Sequence, residues 1–238
     1  MSNKCVILEN FLLVHKSNYI PWKGYFDLIN SVDEFVLFDD MQFTKRDWRN
    51  RNKIKSPSGL LWLTIPVKVK GNYYQKISET ETRDNVWREQ HWKSITHNYS
   101  RSRFFNEFKD LFQNLYLDQA ETSLSKINYQ FLIEICRILG ISTQISWSKD
   151  YKIISGKTER LVEICKQAGA TEYLSGPAAE DYIIRNLFER ENIQVKYISY
   201  TEYPEYTQLY PPFEHGVSIL DLIFNEGNHA YKFMKSFS

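Results

Sequence analysis

Between Val36 and Lys55 the chain reads VLFDDMQFTKRDWRNRNKIK. An apolar run stops at Asp39 and Asp40, adjacent carboxylates of the kind that bind sugar hydroxyls, hold a divalent cation or take a proton. The segment then turns cationic. Lys45 and Arg46 come first, after which Arg49, Arg51, Lys53 and Lys55 alternate with Trp48, Asn50, Asn52 and Ile54. Successive side chains of an extended segment point to opposite faces. The spacing therefore predicts four cations on one face and the Trp, the two amides and the Ile on the other. Such a stripe suits phosphate, which arginine grips in bidentate fashion. A buried amide without partners costs roughly 1–3 kcal/mol, so Asn50 and Asn52 are expected to pair with backbone, water or a ligand. Gln42 is a further amide for fixing hydroxyls. Adjacent carboxylates on a strand diverge, so only one of Asp39 and Asp40 is expected to face a ligand. The competing reading of the stripe is a solvated edge strand whose charges discourage aggregation.

Other places carry weaker signals. Ser175 and Gly176 follow an apolar run and precede a helical pattern, a turn whose amides form a nest for an anion. His215, ahead of Gly216 and Ser218 where a loop enters a helix, is a candidate general base. The aromatics Tyr203, Tyr206, Tyr210 and Phe213, with Gln208, suit stacking on a ring or packing on a core. Ser155 to Thr158 reads SGKT but lacks the first glycine of a phosphate loop. His91 and His97 share a predicted helix, and their spacing puts them on different faces, against a shared metal.

The elements that must position these residues alternate. Strand character in CVILENFLLVH, a helix after Pro21 and a strand in DEFVLFD form a βαβ unit. LLWLTIPVKV reads as a further strand, followed by a turn at Gly71 and Asn72. Helical patterns fill Asp84 to Leu139, and Gly140 closes the last of them. Strands then recur at STQISW, TEYLSG and IQVKYISY, with helices at KTERLVEICKQAG and, starting at Pro177, PAAEDYIIRNLFEREN. Two terminal helices are expected in GVSILDLIFNEG and NHAYKFMKSF. This order predicts a single α/β domain over residues 1–238, Rossmann-like with a mainly parallel sheet flanked by helices, and a helical insertion at about 84–139. Ligands bind beyond the carboxyl ends of such strands, where Asp39 and Asp40 stand.

Composition narrows the classes. The 238 residues carry 30 Lys and Arg against 29 Asp and Glu, a net charge of +1, so anion binding must come from a local patch. A nucleic-acid partner is not expected. Three cysteines without paired spacing argue for a reducing compartment. No run approaches the roughly 20 apolar residues of a membrane helix, and a cytoplasmic protein is expected.

The segment from Asn18 to Lys55, with LWLTIPV after it and with YLSGPAAEDYI and FEHGVSILDLIFNEG nearer the end, closely resembles the WbqC-like proteins. One departure is that Lys16 and Ser17 stand where that family would show a Gln-Pro pair. The resemblance implies an enzyme associated with bacterial surface polysaccharide (O-antigen) biosynthesis that modifies activated amino sugars by adding an aminoacyl or acyl group. It brings Asn18, Tyr19, Trp22, Lys23, Gly24 and Tyr25 into the substrate-binding set. A second, more distant similarity, to adenylate-forming nucleotidyltransferases, places PWKGY where those enzymes cradle ATP phosphates at a helix N-terminus. It would imply ATP and Mg²⁺ as cofactors, though both histidines of that motif are missing. The combined expectation is a transferase acting on a nucleotide sugar. Arg46, Arg49 and Arg51 hold its diphosphate, Asp39 or Asp40 orients hydroxyls or takes a proton, and Ser175 and Gly176 hold a second anionic group. The rivals are a non-catalytic nucleotide-sugar-binding or scaffold protein of a polysaccharide assembly complex, and an RNA-binding protein using the cationic, aromatic stretch.

Overall fold

The computed structural model describes residues 9–237. Of the expected first strand, the part before Glu9, with Cys5, lies outside the described residues. The first elements are β1 (Phe11–His15), α1 (Lys23–Asn30), β2 (Glu34–Leu37), β3 (Arg51–Ser56) and β4 (Gly59–Thr64). Three helices follow, α2 (Val86–Tyr99), α3 (Phe105–Leu117) and α4 (Leu124–Leu139). The chain continues through β5 (Gln144–Trp147), α5 (Glu159–Gln167), β6 (Glu172–Ser175), α6 (Arg185–Glu189), β7 (Gln194–Tyr197) and α7 (Ile219–Glu226). By its contacts the chain divides into two compact units.

The first unit comprises the described chain up to His15, Leu28–Phe38 and Thr143–Tyr200. It holds a five-stranded sheet in the order β5-β2-β1-β6-β7, parallel at every pairing. The α/β class expected from the alternating pattern is what forms. The interior strands are buried along most of their length and the edge strands β5 and β7 are not, which is why the interior ones read as continuous apolar runs. The order reverses beside β1: β2 lies on one side and β6 on the other, with Ser175 at the carboxyl end of β6. The helix expected from Pro177 breaks in two, a 3-10 turn at Pro177–Ala179 and then α6. Ile183 and Ile184 stand at the break, where β-branching disfavours a helix.

The second unit comprises Lys16–Asp27, Asp39–Ser142 and the chain from Thr201. Its β3 and β4 form an antiparallel ribbon in which Arg51 pairs with Thr64 and Lys53 with Trp62. Helix α2 buries Trp87, Arg88, His91, Trp92, Ile95 and Tyr99, a helical stripe masked in hydropathy by its Arg and His. Gly140 ends α4 in the left-handed region, φ 71°, as its place after Leu139 predicts. The last expected helix forms instead as 3-10 turns over Gly227–Phe233. Among the described residues no helix is long and apolar enough to cross a membrane.

Candidate functional site

Lys45, Arg46, Asn50 and Arg51 converge on a cavity of about 190 Å³ in the second unit. Phe43, Val67 and Val69 give it apolar walls, and Thr64 on β4 completes the lining. The turn before β3 builds the cationic side. Thr44 donates its hydroxyl to Asp47 (2.5 Å), and the Asp47 carboxylate accepts from the Trp48 amide (2.7 Å). Between them Arg46 adopts a left-handed backbone, φ 59°, costing a non-glycine residue roughly 1–2 kcal/mol. Arg51 is held from two sides: its guanidinium donates to the Arg46 carbonyl and lies 4.2 Å from the centre of the Trp62 ring. Its Nε has no hydrogen-bond partner. Asn50 donates to the Ile65 carbonyl (2.8 Å), while its buried Oδ1 is unpartnered. Three cations thus meet at one small cavity, an arrangement that favours an anion.

The four-cation stripe does not form as expected. Asn52 and Ile54 turn inward and Arg51 and Lys53 outward, as the alternation predicts, but Arg49 and Lys55 are buried too. Arg49 precedes β3, and its guanidinium donates to the carbonyls of Lys16 (3.2 Å) and Ser17 (3.1 Å) and to Asn18 Oδ1. It is a clasp inside the protein, which corrects its expected role as a phosphate ligand. Lys55 donates its amine to the Pro212 carbonyl. Asn52 binds backbone, donating to the carbonyls of Tyr19 and Ile20.

The aspartates diverge as expected, but the inward one faces the interior. Asp39, 1% exposed, accepts from the Ser17 amide (2.8 Å) and from the Ser125 hydroxyl. Burial raises its pKa above the ordinary aspartate value. Both its oxygens are thereby engaged inside the protein, and the carboxyl is closed off from solvent. Asp40 pairs with Lys76 at 3.2 Å. Gln42 donates to the Tyr73 carbonyl (2.8 Å) and does not line the cavity.

The start of α1 is filled by side chains. A Cβ on Gly24 would stand 2.3 Å from the Trp22 ring, so the glycine admits an indole and not a phosphate. Trp22 in turn packs against Tyr203, and Tyr25 donates its hydroxyl to the Lys16 carbonyl (2.9 Å). Lys23 is buried; its amine donates to the Pro204 carbonyl (2.7 Å) and lies over the rings of Tyr203 and Tyr206. Burial brings this amine down to about 8. The phosphate cradle expected there is therefore closed.

His215 lies in the same unit. Its Nδ1 is buried without a hydrogen-bond partner, and its pKa is lowered by burial and then by the charge of Lys23. The loop bearing it docks on β3: the Ser218 amide donates to the Lys53 carbonyl (2.8 Å), and a Cβ on Gly216 would stand 3.6 Å from Lys53 Nζ. The loop that carries His215 is thus anchored to the strand that carries Arg51.

Behind the cavity lies a relay that the sequence does not announce. A carbonyl can only accept, so His91 Nε2 donates to Thr64 O (3.2 Å). Its Nδ1 then accepts from the Tyr19 hydroxyl (2.9 Å), which accepts from Tyr116 (2.6 Å). Tyr19 is therefore a support of the cavity wall and not part of its surface. Thr64, Val67 and Val69 had one sequence signal, the alternation of LTIPVKV, read above only as a strand. Trp62 had none beyond its place in that run. Ser175 and Gly176 belong to the first unit, where a Cβ on Gly176 would meet the Tyr200 hydroxyl at 3.4 Å. Among the described residues no group of His, Cys, Asp and Glu is arranged to hold a metal.

Comparison with known proteins adds a family and one relative. The family model described as the WbqC-like protein family matches residues 16–233. A Mycobacterium tuberculosis protein described as uncharacterized is 50% identical over 220 residues, 92% of this chain and 95% of its own length. No solved structure matches.

Proposed function

The chain belongs to the WbqC-like protein family, and from that premise we propose an enzyme of bacterial surface polysaccharide biosynthesis that transfers an aminoacyl or acyl group to the amine of a nucleotide-linked amino sugar. One observation carries the reading, the cavity lined by Lys45, Arg46, Asn50 and Arg51. In this reading the cations hold the diphosphate and Asn50 accepts from a ligand hydroxyl or amine. His215, neutral at working pH, takes the proton released when the sugar amine attacks the acyl carbonyl and the donor's leaving group departs. A donor that is a free acid would need ATP and Mg²⁺ for its activation. The protein acts in the cytoplasm, where nucleotide sugars are made.

Titration calorimetry with a uridine-diphosphate amino sugar tests the binding half. Arg51→Ala is expected to weaken binding at least tenfold, the size of one charge-assisted bidentate contact. Equal affinity for wild type and variant would remove the cavity from the site. For the catalytic half, His215→Ala is expected to lower kcat about 100-fold or more with little change in KM. Unchanged turnover would remove His215 as the base.

A further inference from the structure

Trp48 and Trp62 are each 42% exposed, large apolar side chains left open on a protein with a well-filled core. They are neighbours, with ring centres 5.5 Å apart and planes inclined by 32°. Cations surround them. The Arg51 guanidinium lies 4.2 Å from the Trp62 ring centre, and Lys53 Nζ is 5.8 Å from each ring. Arg51 is shared, since it also lines the anion cavity. That cavity, at about 190 Å³, falls below the roughly 300–1,000 Å³ of pockets that enclose whole small ligands. A diphosphate fits it and the remainder of a nucleotide does not, so the remainder must lie on adjoining surface.

We propose that the exposed Trp48–Trp62 pair is the platform on which the base of a nucleoside diphosphate stacks while its phosphates occupy the Lys45–Arg46–Arg51 cavity. This deepens the reading above and rests on it for the diphosphate. Every base presents a π-face, and stacking on indole contributes about 1–3 kcal/mol per base. The polar groups beside the rings, the Arg51 guanidinium and the Lys53 amine, only donate. They match a base with carbonyl oxygens, as in uracil.

The test compares uridine diphosphate, inorganic pyrophosphate and a hexose 1-phosphate by titration calorimetry, with quenching of tryptophan fluorescence as a second readout. Wild type is expected to bind uridine diphosphate about tenfold more tightly than pyrophosphate. In Trp62→Ala, and independently in Trp48→Ala, that ratio is expected to fall toward one. Tyr74→Ala, an exposed ring off the cavity lining, keeps the wild-type ratio. A wild-type ratio near one with pyrophosphate still bound would overturn the platform and leave the anion cavity standing. A hexose 1-phosphate that loses as much as uridine diphosphate on removal of Trp62 would overturn the assignment to a base. Failure of both diphosphates to bind would overturn platform and cavity together.

Discussion

The Asp39 carboxylate accepts from Ser17 and Ser125 in the interior, whereas Asp40 meets Lys76 at the surface. Removing each therefore has a different consequence. Asp39→Ala strands a buried amide and a buried hydroxyl and is expected to lower unfolding stability by about 2–4 kcal/mol. Asp40→Ala loses one partly exposed ion pair and is expected to cost less than about 1 kcal/mol. Urea denaturation of the two variants measures both. Equal losses would contradict the division into an inward and an outward carboxylate. The pair was expected to diverge as neighbours on a strand; β2 ends at Leu37, and the two stand in the turn beyond it. That the inward one meets hydroxyl and amide donors was not readable, because Ser125 lies far along the chain on α4. Arg49 repeats the lesson: alternation put it on the outer face with Arg51, and nothing local revealed the carbonyls of Lys16 and Ser17 that accept from it inside.

At the scale of elements, α2 is tied to the ribbon through His91 and Thr64. Burial depresses the His91 pKa from 6.5 to about 4. Between those values an unfolded chain binds a proton at this position that the folded chain refuses. Stability contributed by the neutral imidazole is thus present above pH 6.5, is lost as pH falls toward 4, and changes no further below that. The loss amounts to about 3 kcal/mol, at 1.36 kcal/mol per unit. Asp39 and Asp221, whose pKa values burial raises, act in the opposite sense above the ordinary aspartate range. The wild type is therefore best compared with His91→Gln, which is expected to show a flatter decline in unfolding free energy between pH 7 and pH 4.5. Parallel declines would show that the relay is not proton-linked. The interior parallel strands were visible in the sequence as short apolar runs because both their faces are covered. The ribbon was harder to read: Leu60, Leu61 and Trp62 of β4 are exposed despite their apolar character, so hydropathy there misstates burial.

Across the whole molecule, charge is balanced while its distribution is not. Three of the thirty basic residues gather at one cavity beside two open indoles. The other 27 basic residues are outnumbered by 29 acidic ones. A gel shift with single-stranded RNA at physiological salt is accordingly expected to show no complex. A retarded band there would favour the RNA reading over a small diphosphate. The alternating pattern revealed the sheet of the first unit. The site of the second unit lies within one short stretch, from Phe43 to Val69, yet it was legible only as a cluster of residue types, because the fold-back of β4 and the valines beyond it that closes the cavity leaves no mark in the spacing of the cations.

Arg46 occupies a backbone region that suits glycine. Arg46→Gly should therefore make the protein melt at a higher temperature while its hold on pyrophosphate weakens. A library of variants sorted for heat resistance alone would drift toward glycine at this position, and one sorted for ligand capture would restore the guanidinium. The opposition between the two selections would mark the turn as a place where durability was surrendered to binding.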